Sequence, residues 1–355
     1  MRMSDCDVLI LGCGPAGAAT AIELARQGFS VTLLGRLGHH QVRYETLPPD
    51  IRQPLRDLGA WESFAATQPV SSPGILSAWG SEQAVANDFV YHPDGPGWHV
   101  DRRRFDHMLC ELASGCGVTR WAGNARISSL AHDGSFWKID CAGMPADRFR
   151  ARFLVDATGL RAVAARRLNR ARIVVDRLVA SLFVLEHDPG RDKRLLLESA
   201  PEGWWYASPT PEQRLLVGFV TDAATIRTMN RETWPESLCP PRHLSQRIGS
   251  AQLGQPQPVI APTARRQQVA GDHWLAVGEA AMSVDPLSGR GVLRALDSAR
   301  QASEAISVYF KGDRKSPQRY QDWISAQFDR EIAVQADLYR QERRWASSGF
   351  WMARH

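Results

Sequence analysis

The sequence lacks long apolar runs and an apolar leader. No window approaches the 18 or so apolar residues of a membrane-spanning helix. Near the N-terminus only Val8 to Leu11 form an apolar run, and Asp5 and Asp7 precede it, so the start has no apolar core of a secretory signal. We therefore expect a cytoplasmic protein that does not insert into a membrane.

Cysteine is scarce, and its spacing does not suit a metal. The six cysteines form no CxxC pair, and no spacing of histidine and cysteine fits zinc. We therefore expect reduced thiols and no metal site. The six are Cys6, Cys13, Cys110, Cys116, Cys141 and Cys239.

Lysine is almost absent, although the chain is basic. The net charge is +5 and the pI is about 9.0, but the arginines are spread along the chain and form no long basic run. We expect no nucleic-acid partner, and the charge reflects either a surface for acidic partners or an arginine-rich composition. The only lysines are Lys138, Lys193, Lys311 and Lys315.

The remaining composition is that of an ordinary globular protein. Hydrophobic residues make up 44% of the chain and charged residues 23%. A length of 355 residues exceeds the usual size of one domain, so we expect two closely packed domains.

The first motif is a strand, a glycine loop and a helix. The apolar run CDVLILG passes directly into GCGPAG, a helical stretch follows until Gly28, and SVTLLG reads as a second strand. This βαβ pattern predicts a dinucleotide site, because the free N–H groups at the helix N-terminus bind a pyrophosphate. The predicted cofactor-binding residues of this loop are Gly12, Gly14, Pro15, Ala16 and Gly17.

An acidic residue is missing at the end of the second strand. Such a residue usually binds the adenosine ribose, but here VTLL is followed by Gly35 and Arg36. Either the main chain and Arg36 hold the ribose, or the affinity for the cofactor is lower than usual.

Two later strand ends complete a recognisable series. FLVDATGLR (153 to 161) and VGEAAMSVDPLSGRG (277 to 291) follow the first loop in the order found in FAD-dependent monooxygenases of the aromatic hydroxylase type, which the chain resembles. The resemblance implies that the third motif contacts the ribityl chain and the ring, although Glu279 replaces the usual aspartate. The residues it assigns to FAD here are Asp156, Gly278, Glu279, Pro286, Gly289 and Gly291.

Three further residues are assigned to the cofactor. GWHVDRRRFDHMLCELA resembles the strand-to-helix element in which an arginine reaches the FAD phosphates, and the matching position is Arg102. Glu45 lies in YETLPP, which resembles a flavin-adjacent segment, although it could equally be an exposed turn residue. Arg126 is the third residue that we assign to the cofactor.

Four stretches narrow the resemblance. YETLPPDIRQPLRDLG (44 to 59), SPGILSAWGS (72 to 81), GWWYASPTPEQRLLVGFVTD (203 to 222) and the C-terminal YRQERRWASSGFWMARH resemble the tryptophan-halogenase-related flavoproteins that mature quinone-cofactor enzymes. These act on precursors of lysine or cysteine tryptophylquinone oxidases and of quinohemoprotein amine dehydrogenase. The resemblance implies a monooxygenase that hydroxylates a tryptophan of a partner precursor polypeptide.

The predicted fold class is α/β. We expect a discontinuous Rossmann-like FAD-binding domain of the aromatic hydroxylase and glutathione reductase type at 1–70, 98–165 and 265–310. An antiparallel β-sheet substrate domain at 71–97 and 166–264 should roof the flavin, and a helical segment at 311–355 should close the chain.

The catalytic candidates are aromatic residues and one histidine. Alternation in a strand places Trp204 and Tyr206 on one side as lining for a substrate ring, unless both faces of the strand are core. His99 could move protons or be structural. Trp79 and Trp98 are weaker lining candidates.

The expected cofactor is non-covalent FAD, because no histidine or cysteine lies in a recognisable flavinylation motif. O2 is the expected co-substrate, and without a second dinucleotide loop the electrons come from transient NAD(P)H or from a separate reductase. Four alternatives stay open: a small-molecule aromatic hydroxylase, a geranylgeranyl-reductase-like flavin reductase, a non-catalytic maturation flavoprotein, and a halogenase. Halogenases use an early lysine and a WxWxIP segment, whereas this chain has no lysine before Lys138 and reads WWYASP.

Overall fold

The computed structural model describes residues 3–36, 44–123, 126–142, 148–186, 190–228 and 239–355. Its strands are β1 Met3–Leu11, β2 Val31–Gly35, β3 Tyr44–Leu47, β4 Val70–Ser72, β5 Gly74–Ala78, β6 Val85–Asp88, β7 Gly97–Asp101, β8 Thr119–Ala122, β9 Arg126–His132, β10 Trp137–Ala142, β11 Arg148–Asp156, β12 Arg172–Leu185, β13 Leu195–Ala200, β14 Gly203–Pro209, β15 Leu215–Asp222, β16 Gln257–Arg266, β17 Ala270–Gly271, β18 Trp274–Ala276 and β19 Met282–Ser283. Its α-helices are α1 Pro15–Arg26, α2 Arg52–Asp57, α3 Trp61–Ala66, α4 Arg102–Gly115, α5 Val163–Arg167, α6 Ala223–Thr228, α7 Arg242–Ile248, α8 Gly291–Phe310, α9 Ser316–Gln341 and α10 Gly349–Met352.

The first sheet has a parallel centre in the order β18-β11-β1-β2-β8, with β17 beside β18 and the hairpin β9-β10 beside β11. Leu11 at the end of β1 lies opposite both Leu34 and Asp156, and Asp156 lies opposite Ala276. The strands before all three glycine motifs therefore end at one edge of the sheet. The Rossmann-like prediction is confirmed.

Small residues allow two helices to pack closely over this sheet. α1 and α8 contact each other, and their buried faces carry Ala18, Ala21, Ala299 and Ala302. The small alanine side chain lets the backbones of the two helices approach closely, and its burial costs no side-chain conformational entropy. The result is that the N-termini of both helices meet the carboxyl edge of the sheet.

The second sheet is mainly antiparallel, in the order β19-β16-β12-β15-β14-β13-β5-β6. Its strands β12, β13, β14 and β15 pair antiparallel within 166–264, where the sequence predicts an antiparallel sheet, so the presence of this sheet is confirmed. Trp205 on β14 packs on one face against Phe219, with ring centroids 4.6 Å apart. Trp204 and Tyr206 lie in the cluster on the opposite face, as strand alternation predicts.

The C-terminal helix α9 spans both sheets. Tyr320, Ile324 and Phe328 are buried against the first core, whereas Tyr339 belongs to the cluster beside β14. The predicted amphipathic C-terminal helix is therefore present. No helix in the described ranges is both long and apolar enough to cross a bilayer.

The predicted domain boundaries stay a prediction. The long strands β12 and β16 pair from Arg172 opposite Arg266 to Leu182 opposite Gln257, so they run from the first core into the second sheet. The small sheet β3-β7-β4 lies between the motifs as a third unit.

We expect the Arg354→Ala substitution to destabilise the protein by about 3 kcal/mol, because it would leave two poorly solvated carboxylates without their partner. Arg354 pairs with Asp176 at 2.9 Å and with Asp222 at 2.6 Å, and its side chain is 7% exposed. The matched control is Arg340→Ala, since Arg340 pairs with Asp337 at 2.9 Å but is 60% exposed. Urea denaturation followed by circular dichroism measures both, and equal midpoints for the two variants would contradict the expectation.

Candidate active site

The glycine loop has the geometry that a pyrophosphate requires. Gly12 has a φ of +112°, and a Cβ there would collide with the carbonyl of Ala157. A Cβ on Gly17 would collide with the carbonyl of Gly12, which is why the helix can pack so close to the strand. At Gly14, by contrast, a Cβ would meet no protein atom within 4 Å, and the backbone is extended with φ −76°. Protein packing therefore does not explain the glycine at 14, whereas access for a ligand does.

Arg36, predicted for the adenosine ribose, and Arg126, predicted for the cofactor, lie at one end of β2. Arg36 is exposed directly after the strand. The N–H of Gly123 donates to the carbonyl of Gly35 at 3.3 Å, and Arg126 follows three residues later, a chain length that spans at most about 11 Å. Arg126 is also exposed, so both guanidinium groups are available near the place where the acidic residue is missing.

Asp156 supports the second motif from inside the protein. Its Oδ1 accepts from the Thr158 hydroxyl at 2.6 Å and from the Thr158 N–H at 3.1 Å, and its Oδ2 accepts from the Ala165 N–H at 3.0 Å. The side chain is fully buried. This geometry gives Asp156 the task of holding the DATG turn, and a direct contact of its carboxylate with the cofactor stays a prediction.

The third motif turns beside the first two. Gly278 has a φ of +57°, and its N–H donates to the Ser298 hydroxyl of α8 at 2.9 Å. Glu279 is exposed in the cleft, and its Oε2 would lie 3.5 Å from a Cβ on Gly159 of the DATG turn. The longer glutamate therefore reaches toward the second motif, at the position where the resemblance places a ribityl contact.

The DPLSGRG segment makes a tight turn before α8. Asp285 accepts from the N–H of Leu287 at 2.8 Å, Pro286 begins a short 3-10 turn, and Gly289 follows with a φ of +61°. The next helix begins at Gly291, and no side chain hydrogen-bonds to its N-terminus as a cap. Its first N–H groups and the positive end of its dipole therefore suit an electron-rich group.

A cluster of three charged side chains connects strand β3 to helix α4. Arg102 forms an ion pair with Glu45 and a forked pair with the buried Asp106, with an Nε to Oδ1 distance of 3.2 Å. Oε1 of Glu45 would lie 3.5 Å from a Cβ on Gly291. Glu45 is thus half-buried between Arg102 and the N-terminus of α8. This geometry favours a position beside the cofactor over an exposed turn for Glu45.

The aromatic strand faces the same place. Tyr206 lies over Gly218 of β15, where a Cβ would collide with its ring. Burial raises the pKa of Tyr206, and the nearby charge of Glu45 raises it further. Trp204 lies 6.0 Å from Tyr206 between ring centroids but is 1% exposed. Tyr206 is therefore the one of the two that is partly open to the cleft, and Trp204 supports it from behind.

His99 is held at both ring nitrogens. Nδ1 lies 2.8 Å from the Thr46 hydroxyl, and Nε2 lies 2.7 Å from the carbonyl of Lys193. Burial lowers its pKa to about 4. This geometry favours the structural alternative, since a neutral buried ring joins β7 to β3 and to the second sheet. A part for His99 in proton transfer stays a prediction.

The two weaker tryptophan candidates have different surroundings. Trp98 packs edge-on against Trp61 and Phe64 in the core, at 6.0 and 5.9 Å between centroids. Trp79 donates to the carbonyl of Leu338 at 2.7 Å and lies 6.5 Å from Trp204. Trp79 therefore extends the aromatic cluster beside β14, and Trp98 does not.

One group of possible metal ligands exists among the described residues, although the cysteine and histidine spacing predicted no zinc site. Asp50, His92 and Asp94 bring ligand atoms within 4.8 Å of one another. Asp50 is already paired with Arg290 at 3.0 Å and with His92 at 3.2 Å, so a cation would have to displace a guanidinium.

The residues fit one long dinucleotide. An accessible glycine loop, two exposed arginines and the uncapped N-terminus of α8 follow one edge of the first sheet, and the aromatic strand faces the far end. A family model described as an FAD binding domain matches residues 5–319. The chain belongs to this FAD-binding family. It is therefore a flavin-dependent enzyme of the oxidoreductase class, with FAD as its cofactor, as the sequence predicted.

Known proteins resemble the chain over nearly its whole length. LodB of Marinomonas mediterranea, which carries the provisional name FAD-dependent oxidoreductase, is 24% identical over 99% of this chain and 98% of its own. The structure of the peptidyl tryptophan dihydroxylase QhpG is 25% identical, with a TM-score of 0.80 over 99% of this chain and 79% of that one. The flavin-dependent halogenase CmlS shares the fold, with 22% identity and a TM-score of 0.86 over 100% of this chain and 68% of that one. Halogenases are frequent among the other matches, so the family includes both reactions.

We expect Gly14→Val to abolish FAD binding. The extended backbone at 14 accepts valine and no protein atom opposes a Cβ, so the side chain would project only into the path of the pyrophosphate. Gly115→Val is the matched control, because Gly115 is exposed and a Cβ there also meets no atom within 4 Å. Purification followed by absorbance near the flavin bands measures bound FAD, and a fully yellow Gly14→Val protein would overturn the assignment.

Proposed function

We propose that this protein is an FAD-dependent monooxygenase that hydroxylates a tryptophan side chain of a partner precursor polypeptide during tryptophylquinone biogenesis. The observation that carries the proposal is the position of Tyr206, a half-buried aromatic residue of the GWWY strand near the charge of Glu45, whose Oε1 would lie 3.5 Å from a Cβ on Gly291 at the start of α8. An indole ring packed there would lie against an aromatic surface next to the flavin-binding turn.

The cofactor would supply the oxidising chemistry, since reduced FAD and O2 together provide an electrophilic oxygen atom. The residues of this chain have the simpler tasks of binding and orienting the ring and of excluding water. Tyr206 would pack against the ring, with Trp204 supporting it, and Arg102 would hold the phosphates with its charge balanced by Glu45 and Asp106.

One comparison supports a peptidyl substrate. QhpG is named as a peptidyl tryptophan dihydroxylase that is essential for tryptophylquinone cofactor biogenesis, and it is 25% identical to this chain.

Halogenation is the second candidate, and the names of other relatives favour it. Tryptophan 2-halogenase of Chondromyces crocatus is 26% identical over 99% of this chain. Against it stands the absence of any lysine before Lys138, because the resemblance assigns halogenases an early lysine that guides the hypohalous acid. The lysine that follows Lys138 in the sequence is Lys193, and its main-chain carbonyl hydrogen-bonds to the buried His99.

We expect the purified enzyme, given a flavin reductase and NAD(P)H, to add one or two oxygen atoms to the precursor polypeptide of a tryptophylquinone oxidase or dehydrogenase. Free tryptophan at the same concentration should react poorly, because most of the binding energy would come from contacts away from the reacting ring. Intact-protein mass spectrometry in the presence of chloride and bromide separates the reactions, since halogenation replaces a hydrogen by a halogen atom.

The flavin-free Gly14→Val protein is the control for non-enzymatic oxidation. Fast oxidation of free tryptophan with an unmodified precursor would favour a small-molecule hydroxylase. A halogenated product would favour the second candidate.

A further inference from the structure

A buried hydrogen-bond chain connects the roof strand to the flavin-binding turn. The Trp204 indole Nε1–H donates to the Tyr339 oxygen at 3.0 Å, and the Tyr339 hydroxyl donates to Asp285 Oδ2 at 2.6 Å. Asp285 Oδ1 in turn accepts from the N–H of Leu287 at 2.8 Å. All three side chains are 1% exposed. None of these bonds is local, because Trp204 and Tyr339 are 135 positions apart and Tyr339 and Asp285 are 54 apart.

The two ends of this chain belong to different parts of the proposed site. Trp204 supports Tyr206 on the face of β14 that is turned to the cleft. Asp285 opens the turn that passes through Gly289 to the N-terminus of α8, where the flavin ring is assigned. Tyr339, on the C-terminal helix α9, is the residue that joins the two.

Asp285 has few cationic partners for a buried carboxylate. Its pKa is raised to about 6, because burial and the charge of Asp176 of β12 raise it more than the Tyr339 hydroxyl, the Leu287 N–H and Arg354 of the C-terminal segment lower it. Gln335, one turn before Tyr339, donates to the same Oδ2 at 3.1 Å. The carboxylate therefore depends mainly on neutral donors.

The protonation state of Asp285 decides whether this arrangement holds. Above pH 6 the carboxylate is ionised and accepts from Tyr339, Gln335 and Leu287 at once. Below pH 6 a proton on Oδ2 would compete with the Tyr339 hydroxyl for the same position. The pKa of Asp285 is higher in the folded protein than in an unfolded chain. The folded protein therefore gains stability from the protonated form of Asp285, and this contribution is lost as the pH rises through about 6.

We propose that Tyr339 is a positioning residue that couples the aromatic roof strand to the DPLSG turn through Asp285 and so holds the turn in place beside the flavin. The role of the roof as a substrate surface rests on the proposed function. The coupling itself depends only on the described hydrogen bonds and on FAD binding.

The test follows the bound cofactor and needs no substrate. In the FAD-loaded full-length enzyme we expect the visible circular dichroism of the flavin to change with a midpoint near pH 6. Tyr339→Phe removes the hydroxyl donor at nearly constant volume, so the midpoint should rise by about one pH unit. Asp285→Asn should abolish the transition.

Tyr320→Phe is the matched control. Tyr320 is also buried on α9, but its hydroxyl donates to the carbonyl of Ala276 at 2.8 Å and does not reach Asp285. Its midpoint should equal that of the wild type, and so should its FAD dissociation constant to within about threefold.

Two results would overturn the proposal. One is an unchanged midpoint in Tyr339→Phe, and the other is a transition near pH 6 that persists in Asp285→Asn. If Tyr339→Phe does not fold, Asp285→Asn decides alone. A failure of precursor hydroxylation with an intact Asp285-dependent transition would contradict the proposed function and leave the coupling standing.

Discussion

The structure depends on the alignment of strand ends at one edge of the parallel sheet. Leu11, Asp156 and Ala276 lie side by side in register, so three chain segments separated by more than a hundred residues turn at the same place. Each turn then exposes main-chain N–H groups or a helix N-terminus, which attract the negative charges of a dinucleotide. A shift of one residue in any of these pairings would turn the side chains of that strand to the opposite face of the sheet and displace its motif.

Charge compensation is the second constraint on the site. Arg102 is only 15% exposed, yet it is held by Glu45 on one side and by the fully buried Asp106 on the other. A guanidinium in this environment is costly unless both its charge and its N–H groups are satisfied. Glu45 is the more exposed and the less constrained of the two carboxylates, since Asp106 is fixed one helical turn along α4. A phosphate approaching Arg102 would thus meet a cation that Asp106 keeps in place whatever Glu45 does.

Local patterns in the sequence predict much of this fold. The GxGxxG loop, the alternation in GWWY and the amphipathic C-terminal helix each depend on residues a few positions apart, and all three are present in the structure. The role of His99 is different, because its polar partners Thr46 and Lys193 are 53 and 94 positions away and leave no local spacing. The contact between Tyr339 and Asp285 leaves no local pattern for the same reason. The sequence shows an acidic residue before a Pro-x-x-Gly turn, and this pattern does not indicate a tyrosine 54 positions later.

The same scaffold serves both hydroxylases and halogenases among the relatives, so the fold alone does not select the reaction. The first sheet positions the cofactor through main-chain groups that any sequence with these glycines would supply. The second sheet differs in its side chains, and in this protein its cleft-facing strand carries tryptophan and tyrosine. A reaction that transfers oxygen directly to a bound ring requires the ring and the flavin to be close and in fixed relation, which a roof tied to the flavin turn through Trp204, Tyr339 and Asp285 would provide. Halogenation by a diffusing hypohalous acid has no such requirement and needs a residue that guides the oxidant instead. The hydrogen-bonded connection between roof and turn therefore agrees with the proposed direct oxygen transfer.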